Sequence, residues 1–467
     1  MRLYDALDAQ VKDFVPVNPE CISIYVCGAT PYGTAHVGHA CSMLRFDLLR
    51  RFLLFKGFNV KFVTNFTDID DKTINKANEL GLDFKDVSRK YIAIYRKCFD
   101  LLRVHSDTQY ILATEYIDAI LAMTRILLQK GIAYEIENDG IYFEIAKFEN
   151  YGKLAKRKLE EQLAGARIDI NALKKAPEDF VLWKFKKDNE PAWMDPLEQI
   201  ADGRPGWHLE CSAMVYSLFN GDTIDIHGGG SDLLFPHHEC EIAQFEACFD
   251  NKYVNHWMHN GMLNIKGEKM SKSLKNYFHV VDILVDYSPQ VLRFFLTMTH
   301  YRADHEYDIE ALEYAKKSLS NIQNTVDRLN SLLAVKNFGT DDVQAKDLST
   351  KCLDGFSEAL SEDLDISAAL ASVYEFCTEI NAKLDTFKIQ ESECLELLGA
   401  FAKIDSVLAV LKLDAVALNP EVSEMLDRRL KARENRDFKQ ADALRRKIEK
   451  LGFTVLDTKD GYDVRYI

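Results

Sequence analysis

A chain of 467 residues is too long for one hydrophobic core and implies roughly two to four domains. Its 47% hydrophobic and 28% charged residues are ordinary for a globular protein. No apolar run approaches the ~18 residues of a membrane span, and the opening MRLYDALDAQVKDFVP lacks a signal peptide's apolar core. A cytoplasmic protein whose ten cysteines are thiols is therefore expected. The net charge of −15 argues against a uniformly basic, nucleic-acid-binding surface. Screening limits such effects to roughly 8–10 Å, however, so local charge counts for more than the total.

In chain order, residues 21–27 (CISIYVC) alternate as a strand, followed by a loop with Gly28, Pro31 and Gly33. A helix is expected from about His36 to Lys56, with Leu44, Leu48, Phe52 and Phe55 on one face and Gly57 as its stop. NVKFVTNF reads as a second strand, completing a right-handed βαβ unit whose ligand should sit at the strands' C-terminal ends. EIENDGIYFE (135–144) predicts a hairpin turning at Asn138-Asp139-Gly140. With the lysine-rich loops and Pro177 it forms an expected insertion, 111–199, splitting a doubly wound α/β domain made of 1–110 and 200–305. Leu312, Ala315, Leu319, Ile322, Val326, Leu329 and Leu333 then recur with helical spacing. Further helices follow around Leu353–Leu360, Leu370–Leu384 and Glu391–Leu411, so 306–419 reads as a helical bundle. Pro420 opens a small C-terminal domain, 420–467. It begins with a basic helix carrying ten Lys/Arg against five Asp/Glu between Asp427 and Lys450, a balance of +5, and ends in a β-like tail.

Two segments suit phosphate chemistry. His36-Val37-Gly38-His39 stands where a helix begins, and a helix N-terminus offers free N–H groups and partial positive charge. Gly38 lets a base or ribose approach the backbone closely. Lys269-Met270-Ser271-Lys272-Ser273 puts two lysines around a small-residue loop able to stabilise a leaving pyrophosphate. Either segment by itself has an ordinary reading, as a chance pattern or a basic surface loop. Together, on either side of a split α/β sheet, they resemble the signature pair of class I aminoacyl-tRNA synthetases.

The soft and borderline metal ligands are Cys27, Cys211, His237, His238, Cys240 and Glu241. His237 and Glu241 are four apart on a helix opened by Pro236, so both can reach one ion. Cys27 ends the first strand, and Cys211 lies at the start of the second half-domain; both could meet in the crevice between the halves. On an ideal helix His238 and Cys240 point about 100° and 60° away from His237, which leaves them outside the set. Two thiolates, an imidazole and a carboxylate suit zinc, whereas buried cysteines with a helix-capping histidine remain the plain alternative. Chemical demand favours zinc. Shape distinguishes isosteres such as cysteine and serine only ~100-fold where translation needs ~10⁴, and a thiophilic ion supplies the difference.

YVCGATPYGTAHVGHA, NFTDIDDK, EDFVLWK, GRPGWHLECSAM, DIHGGGSDLLFPHHECEIAQ, KMSKS and the HYR at 300–302 occur in this order. By these segments the chain resembles cysteinyl-tRNA synthetases nearly end to end, most strongly over 21–75 and 180–305. The resemblance implies a split Rossmann-like catalytic domain with the insertion, a helical bundle and a C-terminal anticodon-binding domain. It implies one zinc ion per chain on Cys27, Cys211, His237 and Glu241, and a cysteine and adenylate pocket of Thr67, Trp207, His227 and Asp232. ATP, with Mg²⁺, would lie against His36, Gly38, His39, Gly228, Gly229, Lys269 and Lys272, of which both histidines and both lysines would be catalytic. The implied partners are cysteine tRNA, L-cysteine and ATP, with no membrane, and a monomer is expected. Three features depart from the family pattern: His39, where many members carry Asn; the longer link MDPLEQIADGRP; and the tail DTKDGYDVRYI, without the usual Trp-Arg ending. A related ligase that joins cysteine to an amino sugar shares the zinc and adenylate sites, but typically lacks EIAQ and the basic C-terminal domain present here.

Overall fold

The computed structural model describes residues 1–156, 172–265, 268–269, 277–335, 338–340, 343–386, 389–413, 420–451, 453–458 and 461–466. They form two compact units, Met1–Pro289 with Tyr301–Tyr307, and Gln290–His300 with Asp308–Ile467.

In the first unit an antiparallel hairpin, β1 (Arg2–Asp5) and β2 (Gln10–Asp13), precedes β3 (Ile22–Ala29). Ile22, Ile24, Tyr25 and Val26 of β3 are all buried, as expected of a parallel strand covered on both faces. Helix α1 (Val37–Phe55) follows, and it buries more than the single expected stripe. Met43, Phe46, Leu49 and Leu53 are buried beside Leu44, Leu48 and Phe52, while Phe55 is only half-buried. Its Arg45 donates to the carbonyls of Gly261 (3.0 Å) and Tyr301 (2.9 Å), anchoring a buried charge on backbone dipoles. Gly57, at φ +87°, ends the helix in a conformation that a Cβ disfavours. Next come β4 (Val60–Phe66), α2 (Asp71–Leu80), α3 (Phe84–Leu101) and β5 (Gln109–Leu112). Asp70 and Asp83 cap α2 and α3 by accepting the N–H groups of Lys72 and Lys85, each at 2.8 Å.

Helix α4 (Ile117–Gln129) leads into a four-stranded antiparallel sheet of β6 (Ala133–Ile136), β7 (Gly140–Phe143), β8 (Phe180–Phe185) and β9 (Gly203–Pro205). The β6–β7 hairpin turns at Asn138 with φ +60°, a conformation that Asn tolerates. Strand β5 runs across the expected domain edge at 110/111, and β9 lies beyond the expected insertion end at 199. The chain then forms α5 (Trp207–Phe219), β10 (Ile224–Gly230), α6 (Glu239–Phe249) and β11 (Val254–Asn260). Phe143, Leu182 and Trp183 of the antiparallel sheet share a core with Leu209, Ala213, Cys240 and Ala243 of α5 and α6.

The central sheet is parallel throughout, in the order β11-β10-β3-β4-β5. The chain winds outward from β3 in one direction and from β10 in the other. The order therefore reverses between β3 and β10, and a crevice opens at their C-terminal ends. Short strands β12 (Leu263–Ile265), β13 (Glu268–Lys269) and β14 (His305–Glu306), with α7 (Val280–Asp286), complete the unit.

The second unit is mainly helical. It takes in α8 (Pro289–Thr297) from Gln290, then α9 (Ile309–Val335), α10 (Ala345–Ser361), α11 (Ile366–Leu384) and α12 (Glu391–Leu408). The expected seam of α9 is buried from Leu312 to Leu329, and Leu333 is half-buried. Helix α12 stops short of the expected Leu411, because Ala409 turns left-handed at φ +54°. The single basic helix expected over 427–450 is in fact two, α13 (Pro420–Glu434) and α14 (Phe438–Lys450). Arg436 at φ +60° breaks the run, and Asp437 restarts it by accepting the Gln440 N–H at 3.1 Å. Val422, Leu426 and Ile448 form a small core with Val455 of the closing hairpin, β15 (Phe453–Thr458) and β16 (Gly461–Tyr466).

Candidate active site

The crevice holds a cavity of about 300 Å³, lined by Cys27 and Gly28 of β3, Tyr32 beyond it, His36 just before α1, Gly38, His39 and Ser42 of α1, Asn65 of β4, Gly230 at the end of β10, Asp232 after it, and Asn260 of β11. Glycine is obligatory at 28, since a Cβ there would lie 1.6 Å from the Asn65 carbonyl oxygen. The Gly28 N–H donates to Asn65 Oδ1 at 2.8 Å, tying the floor of the site to β4. At Gly228 a Cβ would meet the Phe46 ring at 2.3 Å, so glycine lets α1 pack directly on β10.

His36 is the residue before the first turn of α1, and its ring stacks on that of His39 with centroids 3.5 Å apart. The two rings, three residues apart, are thus in direct contact where the helix dipole favours an anion. The second lysine motif enters from β13, where Lys269 pairs with Asn264, and its far side resumes at Tyr277. There the Val37 N–H donates to the Phe278 carbonyl at 3.0 Å, and the Val280 N–H to the Ala35 carbonyl at 3.1 Å. Lys272 lies outside the described residues.

The four expected metal ligands converge at one end of the crevice. Cys27 Sγ is 3.6 Å from Cys211 Sγ and 3.5 Å from Glu241 Oε1, Cys211 Sγ is 3.6 Å from His237 Nε2, and His237 Nε2 is 3.1 Å from Glu241 Oε1. A tetrahedral zinc with bonds of ~2.0–2.3 Å requires ligand separations of about 3.3–3.8 Å. The three separations that involve a thiol fall in that range, the His237–Glu241 contact at 3.1 Å is slightly shorter, and the donor types fit. Burial disfavours charge on His237, but Glu241 and Cys211 outweigh it and raise the imidazole to about 10. The Cys27 thiol, by hydrogen bonding, draws Cys211 down to about 6 against burial, whereas burial and Cys211 push Cys27 itself well up. This buried cluster therefore favours a thiolate and suits a positive charge at its centre. The other carboxylate oxygen, Glu241 Oε2, is held at 3.0 Å by His227 Nε2 and at 2.9 Å by the Tyr253 hydroxyl, leaving Oε1 for a ligand.

His238 departs from expectation. Residues 234–238 form a π turn, and α6 begins only at Glu239, so the α-helical angle that excluded His238 does not apply. With Cys27, His227 and Glu241 it makes a second donor set that shares two members with the first. Its Nε2 is 4.0 Å from Glu241 Oε1, farther than that of His237, and its Nδ1 is engaged with His259 Nε2 at 2.8 Å. The set containing both cysteines is the tighter. Cys240 faces away and meets the Tyr151 hydroxyl at 3.4 Å.

Of the other expected pocket residues, Asp232 lines the cavity, while Thr67, Trp207 and His227 do not. His227 joins the Cys/His/Glu cluster instead, and Trp207 stacks on His237 with centroids 4.4 Å apart, its side partly open to solvent. Thr67 is buried and accepts the Asn65 amide at 3.2 Å. Gly228 and Gly229 lie under Phe46 and beside His238, so it is Gly230 that reaches the cavity. Sequence reasoning missed Ser42, Asn65 and Asn260 in the lining, and His208 and Tyr253 beside the expected metal ligands. His208 was findable, because it precedes Cys211 by three and so shares its helix face.

A switch-point crevice, a stacked histidine pair at a helix start and this thiol cluster define a class I aminoacyl-tRNA synthetase site. Accordingly, residues 13–317 match the family model described as the tRNA synthetases class I (C) catalytic domain, and 415–465 match the cysteinyl-tRNA ligase anticodon binding domain. The chain is 40% identical over 465 residues to a cysteine–tRNA ligase of Finegoldia magna, covering 99% of this chain and 98% of the relative. It is 41% identical over 468 residues to that of Lactococcus lactis subsp. cremoris, covering 99% of each. Among solved structures, Mycobacterium tuberculosis methionyl-tRNA synthetase in complex with methionyl-adenylate shares the fold at a TM-score of 0.64 and 16% identity, over 90% of this chain and 96% of that one. The chain belongs to the cysteine–tRNA ligase family.

Proposed function

We propose that this chain activates L-cysteine with ATP and transfers it to the 3′ end of cysteine tRNA, selecting cysteine through a zinc site on Cys27, Cys211, His237 and Glu241. Held there, zinc would supply a thiophilic Lewis acid that bonds the substrate thiolate and offers serine's hydroxyl no comparable bond. The observation that carries the reading is the meeting of these four donors, Cys27 and Cys211 at 3.6 Å, beside the cavity opened by the His36–His39 pair.

In this reading the α1 N-terminus and both histidines hold the ATP phosphates, assisted by Mg²⁺. Asp232, on the cavity wall, takes the substrate ammonium, and Trp207 covers the amino-acid end. The substrate carboxylate attacks the α-phosphorus, and pyrophosphate departs with the bonding electrons. Lys269 and Lys272 stabilise the charge that builds on that leaving group. A 3′-terminal ribose hydroxyl then displaces AMP. The second unit, with the basic α13 and α14, contacts tRNA. The enzyme acts as a monomer in the cytoplasm; among the described residues no helix is long and apolar enough to cross a membrane.

The test is cysteine-dependent ATP–pyrophosphate exchange, tRNA charging with labelled cysteine, and metal analysis of the purified protein. Exchange and charging should both occur, with about one zinc per chain, and Cys211→Ser should lower bound metal and exchange together. Exchange without charging would favour the amino-sugar ligase, and a fully active metal-free protein would overturn the zinc assignment.

A further inference from the structure

The buried phenol of Tyr95 lies behind the histidine pair, outside the lining of the cavity. It sits on α3, among the rings of Phe66 and Phe99, with centroids 5.8 and 6.1 Å away in edge contact. Tyr110 stacks on both of those rings, so the group is a rigid aromatic block. The end of the phenol is not in the apolar block. Its oxygen is 3.1 Å from His39 Nδ1 and 3.3 Å from His39 Nε2, spanning the edge of the imidazole.

Among the described residues, His36 and Tyr95 hold His39 by three contacts. Its ring stacks on His36, its Nδ1 accepts the His36 backbone N–H at 3.3 Å, and its nitrogen-bearing edge meets the Tyr95 hydroxyl. An Nδ1 that accepts a backbone N–H leaves the proton of a neutral ring on Nε2. With the Nδ1 lone pair so engaged, the phenol oxygen accepts from Nε2–H at 3.3 Å, and the ring cannot flip without losing a bond. A buried tyrosine normally needs a partner for its hydroxyl, and here that partner is a residue of the nucleotide motif.

We infer that Tyr95 is the positioning residue for His39, fixing the orientation of its imidazole at the mouth of the nucleotide cavity through the phenol hydroxyl. The inference rests on the synthetase reading above. Tyr95 touches no reacting atom in this arrangement; it acts through His39. A purely structural tyrosine would need the ring but not the oxygen.

The experiment compares Tyr95→Phe in the otherwise native chain and in a His39→Asn background. Tyr95→Phe keeps the packed ring, and thermal melting of all four proteins checks that they fold alike. In the native background the exchange rate constant should fall roughly three- to tenfold, the usual worth of one such hydrogen bond, with the KM for cysteine unchanged. In the His39→Asn background the same change should alter the rate less than about twofold, the mark of two residues acting as a unit. Equal losses in both backgrounds, or none in the native one, would overturn the inference. A second readout does not depend on activity. In side-chain ¹H–¹⁵N spectra, the His39 ring signals, assigned by their disappearance in His39→Asn, should move on Tyr95→Phe. Unmoved signals would overturn the inference, whereas a native chain inactive in exchange would instead overturn the synthetase reading.

Discussion

Phe278 and Val37 are joined backbone to backbone, the Val37 N–H donating to the Phe278 carbonyl at 3.0 Å. The first helical residue of the histidine motif is thus fastened to the segment that follows the lysine motif. On its near side the lysine motif leaves from the β12–β13 hairpin, whose Leu263 lines the same cavity. Both anchors of the motif therefore stand beside the cavity. If Lys272 acts on the pyrophosphate as it leaves, Lys272→Ala should lower the rate constant for exchange ~10²–10³-fold and change ATP affinity far less. Steady-state exchange over a range of ATP concentrations separates the two; normal turnover with weak ATP binding would mean that the loop only holds ground-state ATP.

His208 Nδ1 lies 2.9 Å from His237 Nδ1, on the side of the ring away from the thiols. Burial, with His237 adding, lowers His208 to about 3, so it stays neutral and can accept the His237 Nδ1–H. That bond orients His237 with Nε2 toward Cys211. Outer partners of this kind are commonly worth ten- to a hundredfold in metal affinity. His208→Ala should therefore weaken zinc binding by about that factor in a chelator competition, and an unchanged affinity would remove His208 from the design of the site.

Helices α13 and α14 and the turn between them expose Arg428, Lys431, Arg436, Lys439, Arg446, Lys447 and Lys450 on a chain of net charge −15. Deleting residues after about Pro420 should leave pyrophosphate exchange largely intact, because the cavity and thiol cluster lie in the first unit. Charging should instead suffer a raised KM for tRNA. The salt dependence of tRNA affinity should also flatten, by about one log–log unit for each backbone phosphate that the truncated protein no longer neutralises. Equal KM values and equal salt slopes for the two proteins would reduce the basic helices to a solvated face.

The features legible in one dimension are those with a local cause. Residue pattern located β3, α1, β4 and α9, although β3, α1 and β4 are buried on more than the one face that spacing predicts. The donor types of the Cys27, Cys211, His237 and Glu241 cluster, and the histidine and lysine motifs, could be picked out because their chemistry is written in residue identity. Tertiary structure decided the rest. It brought Cys27 to within 3.6 Å of Cys211 across 184 residues, and Tyr95 to His39 across 56. It drew His238 toward the cluster through a π turn, brought Gly230 rather than Gly228 or Gly229 of β10 to the cavity, and broke the basic helix at Arg436. In each case the outcome depends on how distant segments pack or on one residue's backbone angle. Neither quantity has a period that spacing can register.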